Sequence, residues 1–240
     1  MTIPTTFETT LARLLDYEAL ARFLRDLDLP SHERFLDLAC GPGLLLQALA
    51  SVGRWSVRLG IEIEPQVAER ARNLAVGTTI VTGDVFDCPS VRAAVDGAGT
   101  FCHCGYSFLN VYPSEQRGVL LDGLTSIREI VALGFEIQNP FHYEQFEFGR
   151  WYEQPLSDGG LLQTRSSPLA DGGRTLELRF RTGGEWTSVT DTLYTWSIED
   201  CIAAGTARGW NTRVLEACYR PMNSAVPSHL FALYHRAEVC

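Results

Sequence analysis

Phe35-Leu36-Asp37-Leu38-Ala39-Cys40-Gly41-Pro42-Gly43-Leu44-Leu45-Leu46 is the stretch that decides the fold. Its apolar first half reads as a buried strand, its small residues as a tight turn, and its leucines as the start of a helix. Such a strand-turn-helix lets backbone approach a ligand closely at a helix N-terminus. A dinucleotide fingerprint would read G-x-G-x-x-G and seat a pyrophosphate on free backbone N–H groups. Here position 44 is leucine, and an acid, Asp37, stands near the strand end. That carboxylate repels a pyrophosphate and attracts a cationic amino group or its ordered water. The turn therefore favours a ligand with a positive end.

Three more strand ends follow in order. Val57 to Pro65 reads as a strand running into a helix that Pro65 opens at its first position. Glu62 lies nineteen positions after Gly43, close to the offset of about 20 residues at which an acid meets ribose hydroxyls. A carboxylate accepts from both hydroxyls of a cis-diol, so Glu62 suits that role, while Glu64 reads as a solvated group at a helix start. Thr79 to Asp87 is a short β-branched strand ending in Gly83-Asp84. Thr100 to Asn110 is a strand that spills into a small and aromatic loop. Neighbours on a strand point to opposite faces, so Cys102 and Cys104 share one side and His103 takes the other. This trio does not converge on one metal ion, no metal is expected, and His103 reads as a satisfied core histidine.

The D-x-A-C-G-x-G turn, followed by Glu62, Gly83-Asp84 and the Cys104-Gly105 strand end in that order, resembles the class I S-adenosylmethionine-dependent methyltransferases. Within that family the chain resembles the small-molecule enzymes that methylate amino acids and amino sugars. The resemblance implies S-adenosylmethionine as cofactor, cradled by Asp37, Ala39, Cys40, Gly41 and Gly43, with Ala39 where the family often has glycine. It sets Glu62 at the ribose, counts Ile63 among the cofactor-binding residues, places Asp84 on the adenine amine and gives the Val85 N–H to a ring nitrogen. Cys104 and Gly105 would offer backbone carbonyls to the cofactor's ammonium. Facing the methyl group it implies Tyr106, Asn139, His142 and Glu144. As catalytic residues, Tyr106 would orient the acceptor, His142 would serve as base and Glu144 would hold a cationic acceptor. Tyr106, Asn139 and His142 would bind the substrate. The implied reaction is methyl transfer to an amine, hydroxyl or carboxylate of a biosynthetic small molecule. Two alternatives stay open: a cofactor-binding protein or enzyme of other sulfonium chemistry, and, on fold grounds, a nicotinamide oxidoreductase.

The rest of the chain reads as a doubly wound, Rossmann-like α/β sheet of seven mostly parallel strands with decorations. Phe7 to Leu27 has apolar residues at helical spacing and forms an expected N-terminal lid closed by Pro30. The fifth strand is expected over Glu129 to Ile137. Beyond it lie an aromatic and acidic run to Tyr152, then three β segments at Leu161 to Arg165, Thr175 to Arg181 and Trp186 to Thr192, separated by glycine turns. Phe146, Phe148, Trp151 and Tyr152 read as the core of this small antiparallel cap. Ser197 caps a helix running to Arg208, and strands at Gly209 to Glu216 and His229 to Tyr234 close the sheet. The expected organisation is one domain over 1–240, comprising a lid (1–32), a cofactor core (33–140), a cap (141–192) and the rest of the core (193–240).

Composition narrows the classes further. The chain of 240 residues carries a formal net charge of −9 and a sequence pI near 5.0, which disfavours nucleic acid as a partner. Asn139-Pro140-Phe141 is similar to the N-P-P-Y signature of DNA amino-methyltransferases, but it follows the fifth strand rather than the fourth and lacks the second proline. All 20 basic residues are arginine, so an internal Schiff base and a P-loop lysine are both excluded. The seven cysteines, an odd number scattered over helices and strands, read as reduced thiols. Without a long apolar run or a secretory leader, a cytoplasmic protein with no membrane partner is expected. The expected partner is a small-molecule substrate, and a homo-oligomer is compatible with the reading.

Overall fold

The computed structural model describes residues 15–29, 32–95, 97–105, 108–138, 147–155, 160–170, 173–182, 184–217 and 229–236. Its first strand, β1 (Arg34–Leu38), runs through the Ala39–Gly43 turn into helix α2 (Leu44–Val52), and helix α1 (Tyr17–Asp26) precedes it. The alternation continues with β2 (Val57–Glu62), α3 (Pro65–Leu74), β3 (Thr79–Thr82), α4 (Cys88–Ala94) and β4 (Thr100–Cys104). A 3-10 turn (Phe108–Val111), helix α5 (Ser114–Ser126) and β5 (Ile130–Gln138) complete the parallel part. After the cap, α6 (Ile198–Thr206), β10 (Trp210–Glu216) and β11 (His229–Arg236) return the chain to the sheet.

The seven strands lie in the order β10-β11-β5-β4-β1-β2-β3. Strands β1 to β5 are parallel, and β11 is antiparallel to both β5 and β10. Because β4 crosses over to lie beside β1, the carboxyl ends of β1, β2 and β4 meet at one edge, where open α/β sheets bind ligands.

The alternation expected of a sheet covered on both faces divides the core in two. One face carries Leu36, Leu38, Cys102, Cys104, Leu133 and Phe135 against Leu120, Leu121 and Leu124 of α5 and Cys201 of α6. The other carries Phe35, Phe101, Ala132 and Phe231 against Leu20 and Leu24 of α1, Leu45 and Leu49 of α2, and Ala68 and Ala71 of α3. The described part of the expected lid is thus packed into the core. Asp16 caps α1 by accepting the Ala19 N–H at 2.8 Å, and Phe23 meets Phe231 edge-on with ring centroids 5.1 Å apart. At the other end of α1 the Arg54 guanidinium donates to the carbonyls of Leu27, at 2.8 Å, and of Arg25.

The cap is an antiparallel meander of four strands, β6 (Tyr152–Pro155), β7 (Leu161–Pro168), β8 (Gly173–Thr182) and β9 (Glu185–Tyr194). Three were expected. The additional one, β6, contains a proline and lies at the sheet edge, where a missing N–H is tolerated. One cap face gathers Leu162, Leu176, Leu178, Phe180 and Val189. Two of the four aromatics expected as cap core are placed differently. Phe148 is 58% exposed, and Trp151 stacks against the guanidinium groups of Arg165 and Arg179, 4.6 and 4.2 Å from its ring centre. Phe146 lies outside the described residues.

The chain leaves the core after Gln138 and returns from Tyr194, and one buried side chain holds both points. Asn110 accepts the Gln138 N–H through Oδ1 at 3.1 Å and donates through Nδ2 to the Tyr194 carbonyl at 2.9 Å. Arg117 donates to the same carbonyl at 3.2 Å and lies 5.1 Å above the Trp196 ring, which stacks on Phe135 at 5.4 Å. Burial disfavours the Arg117 charge and lowers its pKa from the ordinary value. Ser197 accepts the Asp200 N–H at 3.0 Å, the expected cap, and α6 ends at Thr206 rather than Arg208. Among the described residues no helix is long and apolar enough to cross a membrane.

Candidate ligand site at the carboxyl edge of the sheet

The turn after β1 is built from left-handed residues: Ala39 has φ 53°, Gly41 φ 54° and Gly43 φ 82°. Glycine adopts this region freely, whereas an L-residue such as Ala39 loses about 1–2 kcal/mol there. Ala39 is the one non-glycine with positive φ among the described residues, and strain of this kind gathers at binding sites. Gly43 needs its hydrogen twice over. Its φ is positive, and a Cβ there would stand 3.2 Å from the Ala71 Cβ. The turn is tied down by Cys40 N–H donating to the Ile61 carbonyl at 3.0 Å and Gly43 N–H to the Cys40 carbonyl at 3.1 Å.

Glu62 links this turn to the next one. Its Oε2 accepts the Gly41 N–H at 2.9 Å and its Oε1 accepts the Glu64 N–H at 3.0 Å. Each carboxylate oxygen keeps a further acceptor position, which is what a vicinal diol requires. Ile63, beside it, is 59% exposed and presents an apolar surface at the mouth of the edge. Asp84 closes a short turn by accepting the Phe86 N–H at 2.9 Å, and its side chain is exposed. Val85 is buried beside it, and Phe86 packs edge-on against Tyr112 at 4.9 Å. Burial, with Cys104 and Asp84 nearby, raises the Tyr112 hydroxyl above its ordinary pKa and keeps it neutral.

Asp37 has a protein partner that the sequence reading did not give it. It stands in register with His103 on the neighbouring strand, and the His103 Nδ1 lies 2.8 Å from its Oδ1. Both side chains are buried, at 4% and 1% exposure. His103 is on the face opposite Cys102 and Cys104, as strand alternation requires, but it is not fully satisfied. Its Nε2 is buried with no hydrogen-bond partner among the described residues, a condition that costs about 1–3 kcal/mol. Strand alternation and the β1–β4 adjacency together contain this pair, and the adjacency is what a linear reading lacked.

The edge is electronegative. Asp37, Glu62 and Asp84 sit at or just past the ends of β1, β2 and β3, and Glu136 lies fully buried near the end of β5. Burial pushes the Cys40 thiol well above its ordinary pKa, and the charges of Asp37 and Glu62 push it further. The Cys104 thiol is raised in the same way, by burial first and then by neighbours that include Asp37 and Glu136. A field that opposes a thiolate favours a cation.

The structure therefore brings Asp37, Ala39, Cys40, Gly41, Gly43, Glu62 and Ile63 together at the turns after β1 and β2. Asp84 with Val85 follows β3, and Cys104 with Gly105 ends β4. Tyr106, Asn139, His142 and Glu144 lie outside the described residues. His103 and Asn110 are the residues the sequence reading left out of the site, the second because its partners come from two distant segments.

No family model and no curated protein matches the chain. Solved structures do. The S-adenosylmethionine-bound amino pentose methyltransferase CalS10 from Micromonospora echinaspora is 18% identical, covers 98% of each chain and gives a TM-score of 0.73. An S-adenosylmethionine-dependent methyltransferase from Clostridium acetobutylicum is 13% identical over 97% of this chain and 96% of its own, with a TM-score of 0.73. The sugar N-methyltransferase KedS8 from a Streptoalloteichus species is 18% identical over 99% and 94%, with a TM-score of 0.68. From its seven-stranded sheet to its antiparallel cap, the chain has the fold of S-adenosylmethionine-dependent methyltransferases.

Proposed function

We propose that this protein is an S-adenosylmethionine-dependent methyltransferase acting on a small molecule, with an amine as the favoured acceptor. The observation that carries the reading is the Glu62 clamp: one buried carboxylate holds the Gly41 and Glu64 N–H groups between two turns and keeps acceptor capacity toward the sheet edge. The residues fit the cofactor's chemistry. Asp37, Glu62 and Glu136 supply the negative field that a cation with an ammonium and a sulfonium needs. Ile63 offers an exposed apolar face for an adenine ring, with Asp84 and Val85 at the next strand end. The sugar and amino pentose enzymes with this fold support a small polar acceptor, and the N-methylating ones an amine.

The cofactor supplies an electrophilic methyl group when bound. Ala39 to Gly43 and Glu62 would hold its amino-acid and ribose ends, and Cys104 and Gly105 would offer carbonyls to its ammonium. His142 would take a proton from the acceptor, Tyr106 would orient it, and Glu144 would hold a positive charge on it. Their shared task is alignment, because displacement in line gains most from positioning. The acidic composition agrees with a substrate that is not nucleic acid and with a cytoplasmic setting.

Calorimetry with S-adenosylmethionine tests the first step. Binding at sub-millimolar concentration is expected, weakened at least tenfold by Glu62→Gln, which removes one of the two carboxylate acceptors. Equal binding by the variant would remove Glu62 from the site. Incubation with a donor labelled in the methyl group and a panel of amino sugars and amines tests the second. Label on a small product is expected, and binding without transfer to any acceptor would return the protein to a non-methylating cofactor binder.

A further inference from the structure

We propose that His103 is a cofactor-positioning residue which, paired with Asp37, accepts a hydrogen bond from the cofactor's ammonium group. The inference rests on the methyltransferase reading above and adds to it a residue for which packing alone gives no reason.

The argument begins with the tautomer. An ionised carboxylate only accepts, so the 2.8 Å contact to Asp37 Oδ1 places the hydrogen of a neutral imidazole on Nδ1. Nε2 is then a bare acceptor. It is buried and has no partner among the described residues, and a buried acceptor of this kind calls for an explanation. The ring cannot turn aside to find one, since it is stacked between Phe35 and Phe231 at 5.8 and 6.2 Å. Its free edge lies against Gly105. A Cβ at that position would stand 2.8 Å from Cε1 and 3.6 Å from Nε2, so only glycine lets the imidazole rise to the end of β4. What is missing is a hydrogen-bond donor, and the charges on the same sheet face select a cationic one. Asp37 from β1, Glu62 from β2 and Glu136 from β5 share that face, with His229 from β11 beside Gln138. An ammonium supplies both the N–H and the charge. A hydroxyl would supply only the first.

The test compares two ligands that differ in the amino-acid arm bearing this group. S-adenosylhomocysteine carries the ammonium without the sulfonium, and 5′-methylthioadenosine carries neither. In His103→Leu, calorimetry at pH 7.5 should show affinity for S-adenosylhomocysteine reduced at least tenfold and affinity for 5′-methylthioadenosine unchanged within twofold. The second ligand also reports that the variant is folded. If the leucine variant does not fold, His103→Phe, which keeps a ring between Phe35 and Phe231 but has no acceptor, replaces it with the same expectation. Equal losses for both ligands, or none for S-adenosylhomocysteine, would overturn the assignment of His103. Failure of the wild type to bind either nucleoside would overturn the methyltransferase reading itself, and this inference with it.

Discussion

Gly43 concentrates the demands on the cofactor turn in one residue. A methyl group there would force an L-residue to φ 82° and press on Ala71 at 3.2 Å and Ala75 at 3.3 Å. Gly43→Ala should therefore lower unfolding free energy by about 2 kcal/mol, the left-handed cost plus crowding. Urea titration checks it, and a loss under about 0.5 kcal/mol would show that α3 yields easily. At this scale the sequence was legible wherever chemistry is local. Asp37, the small residues and Glu62 announce themselves through spacing along the chain. His103 did not, because its partner is 66 positions away and only strand order brings them together. The same holds for Nε2: whether a buried nitrogen is satisfied is a property of neighbours, not of the residue.

Elements were easier to read than their joints. Strand and helix order follows from apolar runs, glycine turns and helix-start residues, and these local signals agree with the sheet observed. The edge strand β6 escaped because Tyr152–Pro155 is short and ends in proline. The aromatic run before it was read as cap core because large rings usually bury. Here the guanidinium groups of Arg165 and Arg179 stand against Trp151 instead. The joint that matters most is Asn110, an ordinary polar residue in a loop until Gln138 and Tyr194 arrive beside it. Asn110→Ala strands the buried Gln138 N–H, while the Tyr194 carbonyl keeps Arg117. A loss of about 2 kcal/mol is expected from one unsatisfied amide and the lost side chain, again readable in urea. Asn110→Asp keeps the acceptor for Gln138 but loses the donor and buries a charge, so it should be no more stable than the alanine variant.

Across the whole molecule, burial and charge act together on the thiols. Cys40, Cys102 and Cys104 are buried, and each is raised above the ordinary thiol pKa, by burial first. Folded protein at pH 8 should leave these three unmodified by iodoacetamide while denatured protein is labelled at all of them, as peptide mass spectrometry would show. Labelling of Cys40 in the folded state would mean that the turn opens. The neck of the cap bears on the molecule differently. Since Asn110 grips the chain where it departs and where it comes back, the two ends of the β6–β9 excursion are held together at its base. It can lengthen, shorten or be exchanged over generations with little effect on strand order, because its loop is already closed at the base. One sheet could thus carry many different hoods, and diversity among such proteins would gather in the hood while Ala39 to Gly43 stay as they are.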